Sequence, residues 1–145
     1  MAKNTEIKIR ISTTTLMLKN CQEVYGHDDS MPYMADLYEV KGVNDEELVH
    51  LAKCSNDGWG GDTLVNSVSK EADARLAEID AFIKKWYKLY YKQPIHDENG
   101  KLSHRKVELN IDLTYVIDIA ATMCIKEKRK RANITQMDGV EEVEE

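Results

Sequence analysis

Eight apolar residues, Val65, Val68, Ala72, Leu76, Ile79, Ile83, Trp86 and Tyr90, recur at steps of 3, 4, 4, 3, 4, 3 and 4. That rhythm keeps one stripe on one side of an α-helix, whereas strand side chains alternate with a period of two. It predicts a long helix over roughly 63–92, capped by Asp62 or Thr63. Pro94 closes it, because proline disfavours helical backbone in the residue before it. At about 1.5 Å per residue such a helix is ~45 Å long. That is more than a chain of 145 residues needs to cover its own sheet. A stripe of this length asks for a partner, inside the chain or in a second copy.

Strand signals sit on both sides of the stripe. In "TEIKIRIST", Ile7, Ile9 and Ile11 alternate with Glu6, Lys8 and Arg10, the period of a half-buried strand that "TTTLMLKN" extends. "YGHDDSMP" reads as a connection, and "YMADLYEVK", 33–41, as a second strand. Asn44 then caps a short helix, "DEELVHLAKCS", which buries Leu48, Leu51 and Ala52. Asn99-Gly100 is a hairpin centre. Beyond it every odd position from Val107 to Ile125 is apolar. That is strand periodicity far past the usual length of about 5–6 residues. The expectation is a strand to about Ile119 that hands over to a helix, since "AATMCIKEKRKRAN" is rich in helix formers.

These elements predict a single α+β domain over 1–131. One mostly antiparallel sheet, built from N- and C-terminal strands, is covered by one short and one long helix. Residues 132–145 form an acidic tail. Its apolar residues Ile134, Met137, Val140 and Val143 step evenly by 3, as in a segment that docks on a partner. The plainer alternative is a solvated tail. An apolar fraction of 42% and a charged fraction of 32% fit a soluble globular chain. Nothing approaches the roughly 20 apolar residues of a membrane helix. "MAKNTEIKIR" does not read as a signal peptide, so the expected location is the cytoplasm. Cys21, Cys54 and Cys124 lack CxxC spacing and read as buried reduced thiols.

The net charge of −6 hides a layout. Residues 1–83 carry 8 cationic and 15 acidic side chains, residues 84–131 carry 12 and 6, and residues 132–145 carry 5 acids alone. Such blocks can satisfy one another within a chain or between copies.

Three places invite a search for chemistry. In "SNDGWGGDT", Gly58, Gly60 and Gly61 bracket Trp59 between Asp57 and Asp62. An exposed ring there would stack on a ligand, with the acids holding hydroxyls or a cation; otherwise the glycines serve a sharp corner. The stretch has neither the Lys of a phosphate cradle nor the oxygen spacing of a calcium loop. "KKWYKLYYK" interleaves Lys84, Lys88 and Lys92 with aromatics, the mixture of a single-strand binder. Lys126, Lys128, Arg129, Lys130 and Arg131 form a second basic run. On a helical wheel, however, the aromatics fall mainly on the core stripe and the lysines on the solvated side. His50 and Cys54, at i and i+4 on the expected short helix, have zinc-compatible spacing but no second pair. His27-Asp28-Asp29 and His96-Asp97-Glu98 read as turn residues, and Asp112 and Asp118 as ordinary carboxylates on a strand's polar face. No catalytic signature, metal site or cofactor motif is present in the sequence.

The functional expectation is a non-enzymatic interaction or assembly protein acting as a homo-oligomer, with other copies of itself or another protein as partner. Small chains of this kind are common as structural or accessory proteins of phages and mobile elements, which is association rather than derivation. Two alternatives stand beside it. One is a nucleic-acid binder using the two basic segments. The other is a small-molecule binder or inhibitor centred on Asp57, Trp59 and Asp62.

Overall fold

The alternating isoleucines form β1 (Ile7–Ile11), with Ile7, Ile9 and Ile11 fully buried. The threonine-rich continuation is a separate strand, β2 (Thr14–Glu23), because the chain reverses at Ser12 and Thr13. Ser12 takes φ 57° there, the positive φ that suits a tight hairpin to the twist of its strands. β3 (Tyr33–Lys41), β4 (Glu47–Asn56) and β5 (Leu64–Ser67) continue an antiparallel meander. The computed structural model describes residues 5–24, 32–56 and 63–143. Among them the chain is an α+β protein of mostly antiparallel strands with two helices.

The expected short helix at 45–55 is instead strand β4. A β-bulge explains the misreading. Leu37 of β3 faces Ala52 while Tyr38 faces His50, so Leu51 is the extra residue and the phase of β4 slips there. Leu51, Ala52 and Cys54 are all buried. The slip puts Val49, Leu51, Ala52 and Cys54 on the core side, which breaks the period of two, while Leu48, expected to be buried, is 39% exposed opposite Val40. Asn44 sits in the turn between β3 and β4 and caps no helix.

The long stripe holds only in its middle. α1 runs from Lys70 to Trp86 and buries Ala72, Leu76, Ile79 and Ile83. Ser69, not Asp62 or Thr63, is its N-cap, its hydroxyl accepting from Ala72 N at 3.0 Å. Val65 belongs to β5, and Tyr90 to β6 (Tyr87–His96), which follows α1 with no intervening loop. The aromatic run beginning at Tyr87 favours strand over helix. Pro94 lies inside that strand and does not stop the helix.

The predicted Asn99-Gly100 turn joins β6 to β7 (Leu102–Asn110). The handover from strand to helix comes at Asp112, well before Ile119. Asp112 caps α2 (Leu113–Ile125), accepting from Tyr115 N at 2.9 Å. α2 buries Leu113, Val116, Ile117, Ala120, Ala121, Met123 and Cys124. It is apolar nearly all round, so its odd positions look like a strand while Val116, Ala120 and Cys124 complete a helical face.

The last strands come from the expected tail. β8 (Arg131–Asn133) pairs parallel to β1, and β9 (Val140–Glu142) pairs antiparallel to β6. Among the described residues two sheets result rather than one, with orders β5-β4-β3-β2-β1-β8 and β7-β6-β9. α1 packs over β4 and β5, and α2 over β1 and β2, with the helices in mutual contact. One core cluster joins both helices to the isoleucine face of the large sheet. On the opposite, open face Tyr38 stacks on His50 at 4.7 Å. Among the described residues no helix is long and apolar enough to cross a membrane.

Candidate functional site

The β6–β7 hairpin leaves the body of the molecule. β9 pairs with β6 only at Tyr87, Lys88 and Leu89, so from Tyr91 outward the small sheet has two strands. Six residues of each strand lie beyond that point, a length of about 20 Å. Every residue of β7 is exposed except the half-buried Val107. Yet Tyr91, Ile95, Leu102 and Leu109 are large apolar side chains between 38% and 52% exposed.

Their arrangement follows the pairing register. Leu89 faces Leu109, Tyr91 faces Val107 and Ile95 faces Ser103, all on one side of the ribbon. Leu89 packs against the core, so this side carries apolar residues outward from it, interrupted by the Gln93–Arg105 pair, while Leu102 lies on the other side opposite His96. The other side is ionic. Lys106 Nζ lies 4.0 Å from the Tyr90 ring centroid and 3.2 Å from Glu141 Oε2. Lys88 Nζ donates to Asn110 Oδ1 and stands 4.0 Å from Glu108. At the tip Asp97 Oδ1 accepts from Asn99 N at 2.9 Å and Lys101 N at 2.7 Å, which fixes the turn.

The structure disperses the lysines that the long-helix reading grouped. Lys84 stays on α1, paired with Asp80 at 2.8 Å, while Lys88 and Lys92 are on β6. In the second run Lys126 caps the C-terminus of α2, Arg129 pairs with Glu127 at 2.8 Å, and Arg131 begins β8. Lys128 and Lys130 lie in the exposed link between them, where Lys130 O accepts from Lys8 N at 2.9 Å.

The tail residues dock inside their own chain. Ile134, Met137 and Val140 are 0%, 2% and 5% exposed, and Val143 is half-buried with its N–H on Trp86 O at 2.8 Å. Gly139 makes the crossing possible. Its φ is 79°, and a Cβ there would stand 2.7 Å from Tyr90 O. The segment thus ties the large sheet to the small one.

Asp57, Trp59 and Asp62 lie outside the described residues, as does His27. The residues that flank the 57–62 segment form a polar knot that the sequence did not announce. Tyr33 donates to Asp118 Oδ1 at 2.5 Å, Thr63 Oγ1 donates to the same oxygen, and Asn56 Nδ2 donates to Thr63 Oγ1 at 2.9 Å. Asp118 is therefore a helix residue facing β3, not a carboxylate on a strand's polar face. The knot holds both ends of the glycine-tryptophan segment to α2. Burial and the bond to Asp118 push the Tyr33 phenol up, so it stays protonated at neutral pH.

The thiols are inert by the same physics. Cys21, Cys54 and Cys124 are buried and form no disulfide. Burial, then the charges of Asp36 and Asp118, push Cys54 up to about 12, far from the thiolate that nucleophilic chemistry needs. His50 and Cys54 lie on β4, with His50 3.7 Å from Asp36. Among the described residues no three His, Cys, Asp or Glu side chains converge as a metal site.

The chain matches no protein-family model, no curated protein and no solved structure.

Proposed function

We propose that this chain is a non-enzymatic interaction protein that assembles with copies of itself, using the β6–β7 arm as its contact. The observation that carries this reading is the exposure of Tyr91, Ile95, Leu102 and Leu109 on a two-stranded arm. A two-stranded ribbon alone is marginally stable in water. Large apolar side chains on it gain burial only against another molecule. Exposed Lys106 and Glu108, of opposite charge on one strand of the arm, support a second copy as that molecule, because a two-fold axis between them sets each opposite the other.

Light scattering across a dilution series tests the proposal. The full chain should give a multiple of 16.6 kDa when concentrated and fall toward 16.6 kDa on dilution. A mass of 16.6 kDa at every concentration overturns it.

A further inference from the structure

The arm offers two strand edges, and the backbone decides which one is open. Tyr90 N donates to Gly139 O at 2.7 Å, so the even positions of β6 point toward β9. In an antiparallel pair each residue directs both its N–H and its C=O to one neighbour. The odd positions of β6 therefore bond to β7. The tip agrees, since Asp97 N donates to Lys101 O at 3.1 Å. In the observed register odd β6 residues face odd β7 residues. Leu102, His104, Lys106, Glu108 and Asn110 consequently turn their N–H and C=O groups to the outer edge of β7. That edge has no neighbour among the described residues.

The β6 edge beyond Tyr91 differs. Pro94 occupies one of its even, outward positions. It has no N–H, so a strand added there would meet a gap in the ladder. This also explains why β6 tolerates the proline: the missing donor is not one that β7 uses. Of the two edges, only that of β7 presents an unbroken row of donors and acceptors.

From this edge we infer that β7 pairs antiparallel with β7 of a second copy, with Val107 on the two-fold axis and Lys106 opposite Glu108. The inference rests on the homo-oligomer reading and names its contact. The register follows from two constraints. Only even residues carry outward backbone groups, so hydrogen-bonded pairs must match even with even. Charge then selects among the symmetric registers centred on residues 105–108, in the middle of the exposed strand. Centring on Lys106 sets two ammonium groups face to face, centring on Glu108 does so with two carboxylates, and centring on Arg105 opposes two guanidinium groups. Centring on Val107 gives two Lys106–Glu108 pairs on the ionic side. It also gives a Val107–Val107 contact on the side that carries Leu109, which faces Arg105 of the second copy. Lys106 and Glu108 are 58% and 55% exposed, so both are accessible to a partner. The product is a four-stranded ribbon whose apolar side continues the two cores.

Cysteine cross-linking reads the register directly. Val107 would sit in a non-hydrogen-bonded pair with Cα atoms about 4.5 Å apart, inside the span a disulfide bridges. V107C should become a covalent dimer under mild oxidation, released by reductant. L109C should not, since its two copies would lie about 14 Å apart. Cys21, Cys54 and Cys124 are buried and give a low background. E108K should weaken self-association about tenfold or more by opposing lysines twice, and K106E/E108K should restore it. Circular dichroism establishes that each variant is folded. An oligomer that gives no V107C cross-link and ignores the charge exchange overturns the edge pairing but leaves assembly standing. A monomer by light scattering overturns both.

Discussion

A chain ending at Arg131 is expected not to reach a cooperatively folded state. The deletion removes Ile134, Met137 and Val140, all buried, together with Ala132 and both terminal strands. Burial of each large side chain is worth about 1.5–3 kcal/mol, so the three alone contribute roughly 5–9 kcal/mol. Whole domains are stable by only about 5–15 kcal/mol. The loss also uncovers Ile9 and Leu89, which β8 and β9 cover from the side. Far-ultraviolet circular dichroism through a thermal ramp is the check. The truncated chain should lack a cooperative transition. If its melting temperature stays within a few degrees of the full chain, the tail does not belong to this core.

Arg75→Ala carries the second large expected effect, a loss of about 2–3 kcal/mol. Glu39 lies on the helix-covered face of β3 with its side chain only 8% exposed. Arg75 grips it with two bonds, Nε to Oε1 and Nη2 to Oε2, both 2.8 Å. Removing the guanidinium leaves a nearly buried carboxylate without its counter-charge. The cost falls short of a fully buried pair because Arg75 is 32% exposed and water can partly replace it. The hydrogen bonds from Arg75 hold the Glu39 carboxyl below its usual range, against the burial that pushes it up. The sign of the pH effect follows. A depressed folded pKa gives stability that is present above the ordinary value of about 4.3 and is lost as pH falls through the folded value. In Arg75→Ala burial is opposed only by the charge of Lys41, so the pKa rises relative to the parent and acid relieves the variant. Melting temperatures of the two proteins should differ most near neutral pH and converge below about pH 4. A gap independent of pH contradicts this account.

Where local pattern and tertiary setting agree, the fold was legible. Ile7, Ile9 and Ile11 specify β1 because one face of that strand is buried and the other wet. Ala72 to Ile83 specify α1 for the same reason at helical period. The failures come from periods that tertiary structure corrupts. A bulge at Leu51 gives β4 a helical spacing. A helix covered on several sides gives α2 a strand spacing. Val65 and Tyr90 continue the α1 stripe only by coincidence of count, each lying in a strand that packs on the same core. Ser69 is a legible cap, hidden because Val65 and Val68 extend the apolar stripe upstream of it.

The polar knot was out of reach in principle. Tyr33, Asn56, Thr63 and Asp118 span 85 residues of sequence and meet only once β3, β4 and α2 have packed. The arm was half legible. Asn99-Gly100 and the alternation at Val107 and Leu109 mark a hairpin. They do not tell that nothing within the described chain covers it, which depends on where α1, α2 and β9 come to rest.

Shortening the arm tests the central claim most directly. Tyr91 and Val107 are cross-strand partners whose backbone groups face each other. Replacing residues 92–106 with Asn-Gly therefore joins β6 to β7 through a two-residue turn that hairpins favour. The body, which draws its core from the large sheet, the helices and β9, should fold unchanged by circular dichroism. In light scattering behind a sizing column the full chain should appear as an oligomer, and the shortened chain as a monomer at every concentration. A shortened chain that keeps the full chain's oligomeric mass would place the contact elsewhere and contradict the account.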